Sequence, residues 1–382
     1  MHNVRHLPTC NLLAFLADRR RVVERDRLGL GRAIVPGAVR ALLPLVLLAA
    51  CAEPRAVAIA PVPSAAPLEI APIDAGASRA DAAPSAPPPS CARTPCLVAS
   101  NVELYTIARR ELFMVREYAA RTALVRHGLD DGIDAELVTD LRPALNDSIV
   151  ALEVDADSVA IATSFDVLLV DRARKASVPL FHDSWAITDV ALDPTSLFVL
   201  TRDCAVKKVA RAGGSPIVLA RGTGKSCMGL SLRLDGDDVL FSSEHTISAV
   251  PRAGGAVRTL ATLQPDSTIL DIVPNGAFVY ALAMTSRGSV LVRVPRSGGR
   301  ATDVAPAGMA TSTHALAVDE QRAFWLEIRG PGYALMSAPK DGGEPIVVRR
   351  GAGSISSLTS APDGLYFLVH TPRNDLMRLD NP

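Results

Sequence analysis

Aromatic residues are scarce in this sequence, at 4% of 382 residues, so a folded core must consist mainly of aliphatic side chains. Hydrophobic residues still make up 48% and charged residues 21%, which is typical of a globular protein. Eight of the 40 basic and three of the 40 acidic residues fall within residues 1–51, so the rest of the chain is mildly acidic. Such a chain lacks the basic surface of a nucleic-acid-binding protein, and we expect no nucleic-acid partner.

Local motifs of catalytic and metal sites are missing as well. The sequence has no H-E-x-x-H, no G-x-S-x-G and no paired metal-ligand spacing, and its seven histidines share no register. We therefore predict no catalytic residue, metal ligand or cofactor from local sequence. An active site assembled from distant parts of the chain would leave no such motif, so this alternative stays open.

The apolar run near the N-terminus is too short to span a membrane. ALLPLVLLAAC at 41–51 follows Arg40 and holds about ten apolar residues, whereas a membrane helix needs about 20. LAAC at 48–51 resembles the lipobox of bacterial lipoproteins, which implies cleavage before Cys51 and acylation of its sulfur. Ala52 is not the aspartate that retains many lipoproteins in the inner membrane, so the resemblance slightly favours the outer membrane. An ordinary secretory signal with an incidental cysteine is the alternative.

Three regions follow from this N-terminal organisation. Residues 1–51 are an extension plus signal peptide, and the unusual length of the extension suggests that translation starts near Val35 or Val39. Residues 52–90 are rich in proline, alanine and serine, which favours an extended spacer over a packed core. Residues 91–382 are left to form the folded domain.

A repeat fills the folded domain. Glycine pairs preceded by a basic residue recur at spacings of 41, 44 and 44 residues: Gly213-Gly214, Gly254-Gly255, Gly298-Gly299 and Gly342-Gly343. An Asp or Asn between two apolar runs recurs with a similar period, at Asn101, Asp155, Asp193, Asp235, Asn275, Asp319 and Asp363. Repeats of about 40–45 residues with several short strands indicate β-propeller blades.

Each repeat is predicted to contain four strands, which in the third copy are AITDVAL, LFVLT, AVKKVA and PIVLA. The Asp suits the first turn, and the glycine pair suits the third, where a tight hairpin needs positive φ. FVYALA, AFWLE and LYFLV lie where YWTD-type propellers carry their signature strand. The blade plan resembles YWTD-type and NHL-type β-propellers, which implies an all-β fold and no particular activity.

Seven copies predict about seven blades, although six remain possible because the YWTD type has six and the first copy is weak. The last copy supplies three strands, so an N-terminal segment must close the ring. PLEIAPI at 67–73 is the first candidate for that strand, and the stretch around Cys91 is the alternative. An insertion after the first blade shows helical spacing at Ile133, Leu137 and Leu141.

Four cysteines remain if Cys10 is removed and Cys51 is acylated. An even number in an oxidising compartment predicts two disulfides, Cys204–Cys227 and Cys91–Cys96, with free buried thiols as the alternative.

One face of the propeller should carry the repeated Asp and the repeated basic residue of the two hairpins. The basic residues are Arg211, Arg252, Arg296 and Lys340. They are a candidate docking face for a protein or small ligand, or simply solvated turns. The sequence thus predicts a monomeric, lipid-anchored propeller of the cell envelope that acts as a binding or scaffolding module. An envelope hydrolase or lyase with its active site in the propeller channel is the alternative.

Overall fold

The computed structural model describes residues 95–141, 147–222, 231–309 and 314–380, which form seven four-stranded antiparallel sheets. The sheets are the blades of a propeller, so the prediction of seven blades is confirmed. Within these residues, no helix is long and apolar enough to cross a bilayer.

The strands follow the repeat, and blades 1 to 6 each run from the innermost to the outermost strand in chain order. Blades 1 to 3 contain β2 (Val102–Ala108), β3 (Glu111–Glu117), β4 (Thr122–Gly128), β5 (Asp134–Val138); β6 (Ile149–Val154), β7 (Ser158–Thr163), β8 (Asp166–Asp171), β9 (Ala176–His182); β10 (Ile187–Leu192), β11 (Ser196–Thr201), β12 (Ala205–Ala210) and β13 (Ile217–Arg221). Blades 4 to 6 contain β14 (Leu232–Asp235), β15 (Asp238–Ser243), β16 (Thr246–Pro251), β17 (Arg258–Thr262); β18 (Thr268–Asn275), β19 (Phe278–Thr285), β20 (Gly288–Pro295), β21 (Thr302–Ala307); β22 (Leu316–Val318), β23 (Arg322–Arg329), β24 (Gly332–Pro339) and β25 (Ile346–Ala352). Blade 7 contains β26 (Ser354–Ala361), β27 (Gly364–His370), β28 (Asp375–Leu379) and β1 (Cys96–Ala99).

The core lies between neighbouring blades. The second strand of each blade is covered on both faces, and every residue of β7 and of β11 is buried. Strands buried on both faces need apolar side chains throughout rather than an alternating pattern. The few aromatic residues are concentrated here, and Phe113, Phe198 and Trp325 are all fully buried.

Blade 7 closes the ring with a strand from the N-terminal end of the domain. β1 pairs antiparallel with β28, which itself pairs with β27. The prediction that the last repeat supplies only three strands is confirmed, but the choice of PLEIAPI for the fourth is wrong because Cys96–Ala99 takes that position. Residues 67–73 and Cys91 lie outside the described residues, and the closing strand begins five residues after Cys91, close to the alternative candidate.

The segment predicted as an insertion is the outer strand of blade 1. The chain turns after β4 at Gly132, with φ 67°, and the Ile133 amide donates a hydrogen bond to the Asp131 carboxylate, 3.0 Å away. β5 then pairs with β4 and buries Leu137. The helical prediction is wrong because its three spaced apolar residues did not distinguish a helix from a short strand after a turn.

The register of the first repeat also needs correction. β2, which follows Asn101, is the innermost strand of blade 1, so Asn101 lies in the connection from blade 7 rather than in a first turn. The first turn of blade 1 is at Arg109 and Arg110, immediately before β3. With this register blade 1 has the usual length, and no insertion is needed.

Candidate functional site: the central channel

The repeated Asp and the repeated glycine pair lie where the sequence predicts them. The Asp155 carboxylate accepts hydrogen bonds from the amides of Asp157 (2.9 Å) and Ser158 (2.8 Å), which fixes the first turn of blade 2. Gly298 and Gly299 have φ of 87° and 140°, in the region that favours glycine. Both turns lie on one side of the ring, which we call the hairpin face. The opposite side, with the second turns and the links between blades, is the connection face.

On the hairpin face, each repeated basic residue contacts the first turn of the preceding blade. The pairs are Arg211–Asp155 at 2.5 Å, Arg252–Asp193 at 3.6 Å, Arg296–Asp235 at 2.8 Å and Lys340–Asn275 at 3.2 Å. We call these four contacts the inter-blade pairs. The side chains of Arg211 and Asp155 are only 15% and 11% exposed. This pair is therefore largely buried between the blades and is not a pair of solvated turn residues. The inter-blade pairs join neighbouring blades, and docking of a partner on this face stays a prediction.

The channel is lined by the innermost strand of each blade, and the strand pairing identifies one layer of equivalent positions. The layer contains one residue from the innermost strand of each blade, the residue that pairs with the third residue of the second strand. In blade order these residues are Thr106, Glu153, Ala191, Arg233, Val273, Ala317 and Thr359. Six of the seven line a cavity of about 270 Å³. Only Glu153 and Arg233 are charged, so the layer does not follow the repeat in its chemistry.

Arg233 is at the centre of a network that joins four blades. Its guanidinium donates to Asp189 of blade 3 at 2.9 Å and to Asp271 of blade 5 at 3.1 Å. It also lies 3.1 Å from Nδ1 of His314, at the start of blade 6. Although burial opposes it, the carboxylates of Asp189 and Asp271 raise the pKa of Arg233, which therefore stays charged.

Asp189 and Asp271 are buried, at 1% and 0% exposure, and they are fully hydrogen-bonded. Each accepts the amide of the innermost strand of the next blade, from Leu232 (2.8 Å) and Leu316 (3.2 Å) respectively. A β-bulge precedes each aspartate in β10 and β18. Because bulges redirect side chains, they account for carboxylates that reach toward the next blade.

Glu153 differs from these two aspartates. Its carboxylate lines the cavity, and the structure shows no hydrogen bond to it from any described residue. Burial raises its pKa to about 7, with Asp189 acting in the same direction and Arg233 opposing both. Glu153 can therefore gain or lose a proton near neutral pH.

The cavity carries more negative than positive charge when Glu153 is ionised. Glu153, Asp189 and Asp271 face the single guanidinium of Arg233, whose bonding is already committed to the aspartates. Hydroxyl groups of Thr106 and Thr359 belong to the same layer. The arrangement suits a cation more than an anion. Among the described residues, no group of three His, Cys, Asp or Glu side chains could hold a metal ion.

Sequence reasoning did not find the channel residues. Glu153, Asp189, Arg233, Asp271 and His314 match no motif and are spread over 162 residues of chain. A usable signal was present two residues before each repeated Asp. There the charged Glu153 and Arg233 replace the small or apolar residues of the other copies.

Only one cysteine of each predicted disulfide, Cys204 and Cys96, lies within the described residues. Cys204 lies in the turn before β12, buried, and its carbonyl accepts the Gly222 amide at 2.7 Å. Cys96 begins β1. Cys227, Cys91 and the predicted lipidation site Cys51 lie outside the described residues, so both pairings and the acylation stay predictions.

No protein-family model and no curated protein matches the sequence. Solved structures match the fold: U3-55K has a TM-score of 0.58 at 12% identity, over 75% of this chain and 98% of its own. Oligogalacturonate lyase from Vibrio parahaemolyticus scores 0.54 at 11% identity, over 72% and 87% of the two chains. The computationally designed protein Ika8 scores 0.53 at 12% identity, over 72% and 83%. At these identities the likeness shows the β-propeller fold and nothing about activity.

Proposed function

We propose that this chain is a lipid-anchored β-propeller of the bacterial cell envelope, with a YWTD/NHL-like blade plan, that serves as a binding or scaffolding module. The observation that carries the binding role is Glu153, an unpaired carboxylate in a channel cavity whose other charges are satisfied. Propellers commonly place ligands in the central channel or on one face. The hairpin face remains the candidate surface for a protein partner.

The channel ligand is a compact organic cation, such as a primary amine. Asp189, Asp271 and Arg233 form a network whose net charge is negative, and Glu153 adds another negative charge when ionised. An ammonium group beside Glu153 would neutralise it and favour its ionised form. The cavity of about 270 Å³ limits the ligand to a small molecule.

Calorimetric titration of the full chain with n-butylammonium chloride tests this proposal. At pH 8 most of Glu153 is ionised and at pH 6 most of it is protonated, so affinity should fall by about ten-fold between them. Glu153→Gln should abolish this dependence and most of the binding, whereas Arg211→Ala on the hairpin face should change neither. Equal binding by wild type and Glu153→Gln would exclude the channel as the cation site.

Glu153 also supports the alternative, a hydrolase or lyase that uses the channel. A carboxyl group with a pKa of about 7 can act as a general acid or base at neutral pH. On this alternative, a panel of ester, glycoside and uronate substrates should give turnover that Glu153→Gln lowers by about a hundred-fold or more. Binding without turnover of any substrate supports the module.

The lipid anchor has a separate test. LAAC at 48–51, its apolar run and the following proline-rich spacer support acylation of Cys51. Cys51→Ala should move the protein from the membrane fraction to the soluble fraction of cells. Unchanged partitioning would contradict the anchor without affecting the channel proposal.

A further inference from the structure

A groove of about 670 Å³ separates blades 1 and 2 on the hairpin face. Leu137 and Ala135 of β5 form one wall, and the third turn of blade 2, Asp171–Lys175, forms the other. Arg126 and Arg172 also line it. Nothing in the function proposed for the channel uses this groove.

The groove lies where the repeat is broken. In blades 4 to 6 the glycine-pair hairpin packs against the outer strand of the preceding blade. A Cβ on Gly298 would lie 3.5 Å from the Leu260 carbonyl oxygen, and one on Gly342 would lie 3.7 Å from that of Val304. The Gly299 amide even donates to the Leu260 carbonyl at 2.9 Å. Because glycine has no side chain, the hairpin can pack closely against the outer strand of the preceding blade.

Blade 2 has Arg174 and Lys175 where blades 3 to 6 have the two glycines. Its turn is tightened by the Asp171 carboxylate, which accepts the amides of Ala173 (3.0 Å) and Arg174 (2.8 Å). Lys175 takes the left-handed conformation, with φ 55°, to complete the turn. The hydrogen bonds of this hairpin are therefore formed within its own turn and not to β5. β5 is the outermost strand of blade 1, so one edge of its backbone pairs with no other strand of the sheet.

The charges of the groove favour an anionic ligand. Arg126 and Arg172 share one carboxylate, Glu111, so this part of the groove carries an excess positive charge. The Nε of Arg126 is buried and has no hydrogen-bond partner. Arg174 and Lys175 are exposed at the rim, where Arg174 lies 3.8 Å from Asp171. Four cationic side chains therefore face three acidic ones, Glu111, Asp157 and Asp171.

We propose that this groove binds an extended, carboxylate-rich peptide segment of a partner protein, which lies along β5 and pairs its acidic side chains with Arg126, Arg174 and Lys175. Outer strands with an available edge can pair with an added strand through main-chain hydrogen bonds, while side chains give the specificity. The small side chains of Ala135 and Ala173 accommodate the residues between the acidic ones.

Fluorescence anisotropy with a labelled octapeptide of alternating glutamate and valine tests the proposal on the full chain. The wild type should bind this peptide at least ~10-fold more tightly than an alternating lysine and valine octapeptide, and less tightly as salt rises. Arg174→Glu/Lys175→Glu should weaken binding by about ten-fold or more, since two attractive charges become repulsive. Arg202→Glu/Arg287→Glu, a matched change at exposed turns of the connection face, should leave it unchanged.

A second pair of variants separates charge from shape. Arg174→Gly/Lys175→Gly turns the local sequence RARK into RAGG, the sequence at 252–255, and should close the groove, since a Cβ on Gly254 would lie 3.7 Å from the Leu219 side chain of the preceding outer strand. It should therefore bind the peptide less than Arg174→Gln/Lys175→Gln, which loses the same charges but keeps the turn. Equal affinity of the wild type for the two peptides, or equal losses in the charge reversal and its connection-face control, would overturn the proposal. All three groove variants should keep butylammonium binding in the channel, so the two proposals fail independently.

Discussion

Two sets of charged side chains join the blades of this propeller, and they differ in how they relate to the repeat. The inter-blade pairs on the hairpin face recur at the same repeat positions, and each links two adjacent blades. The network around Arg233 occurs once, links four blades and borders a cavity. The comparison teaches that contacts recurring at equivalent positions of several repeats fasten the scaffold, whereas departures from the repeat mark candidate sites.

The largest effect should come from Arg233. Arg233→Met leaves the buried carboxylates of Asp189 and Asp271 without a countercharge, which costs about 3–5 kcal/mol of the free energy of unfolding. Chemical denaturation measures this cost, and Arg202→Met at an exposed turn is the control. A loss below about 1 kcal/mol would mean that the network does not hold the blades together.

The predicted disulfide between Cys204 and Cys227 would fasten blades 3 and 4 on the connection face. Closing a loop of about 24 residues contributes about 3 kcal/mol, which Cys227→Ser should remove. A non-reducing digest should yield the cross-linked peptide. Two alkylatable thiols at these positions would contradict the pairing, and the inter-blade pairs of the hairpin face would then be the main contacts that join blades 3 and 4.

Glu153 should make stability depend on pH. Its folded pKa of about 7 lies above the ordinary value of 4.5, so the folded state binds the proton more tightly than the unfolded state. Stability should therefore fall as pH rises from about 4.5 to 7, by about 1–3 kcal/mol. Glu153→Gln should remove that fall and be the more stable protein at pH 8. Denaturation midpoints measured at pH 5 and pH 8 give the answer, and parallel pH profiles for the two proteins would contradict it.

The inter-blade pairs should contribute least individually. Arg211→Ala breaks a largely buried pair and should lower the free energy of unfolding by about 1 kcal/mol. The Arg296 side chain is 39% exposed, so Arg296→Ala should lower it by less than about 0.5 kcal/mol. Both costs should shrink in high salt. A loss of several kcal/mol in the free energy of unfolding for Arg296→Ala would contradict the claim that the inter-blade pairs contribute less than the network around Arg233.

Much of the fold follows from the sequence because a repeat reveals its own register. The strands of blade 3, the glycine hairpins and the first-turn aspartates all lie as predicted. The errors of register fall at the first copy, where Arg109 and Arg110 replace the turn Asp. Without that landmark, the repeat pattern predicts the first turn at Asn101 and assigns the residues of β5 to an insertion.

The candidate site was harder to predict for a physical reason. Glu153, Asp189, Arg233 and Asp271 are 36 to 118 residues apart and meet only because the ring brings innermost strands together. Their chemistry depends on burial and on bulges in β10 and β18, neither of which a short motif encodes. The inter-blade pairs illustrate the same limit. The sequence placed both residue types on one face, but it did not show that each basic residue reaches the preceding blade.

Native mass spectrometry of the protein purified gently from cells at pH 7.5 tests the distinction between scaffold and site most directly. We predict a small-molecule cation retained at up to one per chain, released by acidification to pH 5, absent from Glu153→Gln and present in Arg211→Ala. A wild-type protein without any retained cation, or a Glu153→Gln variant that keeps it, would contradict the assignment of the channel as the ligand site.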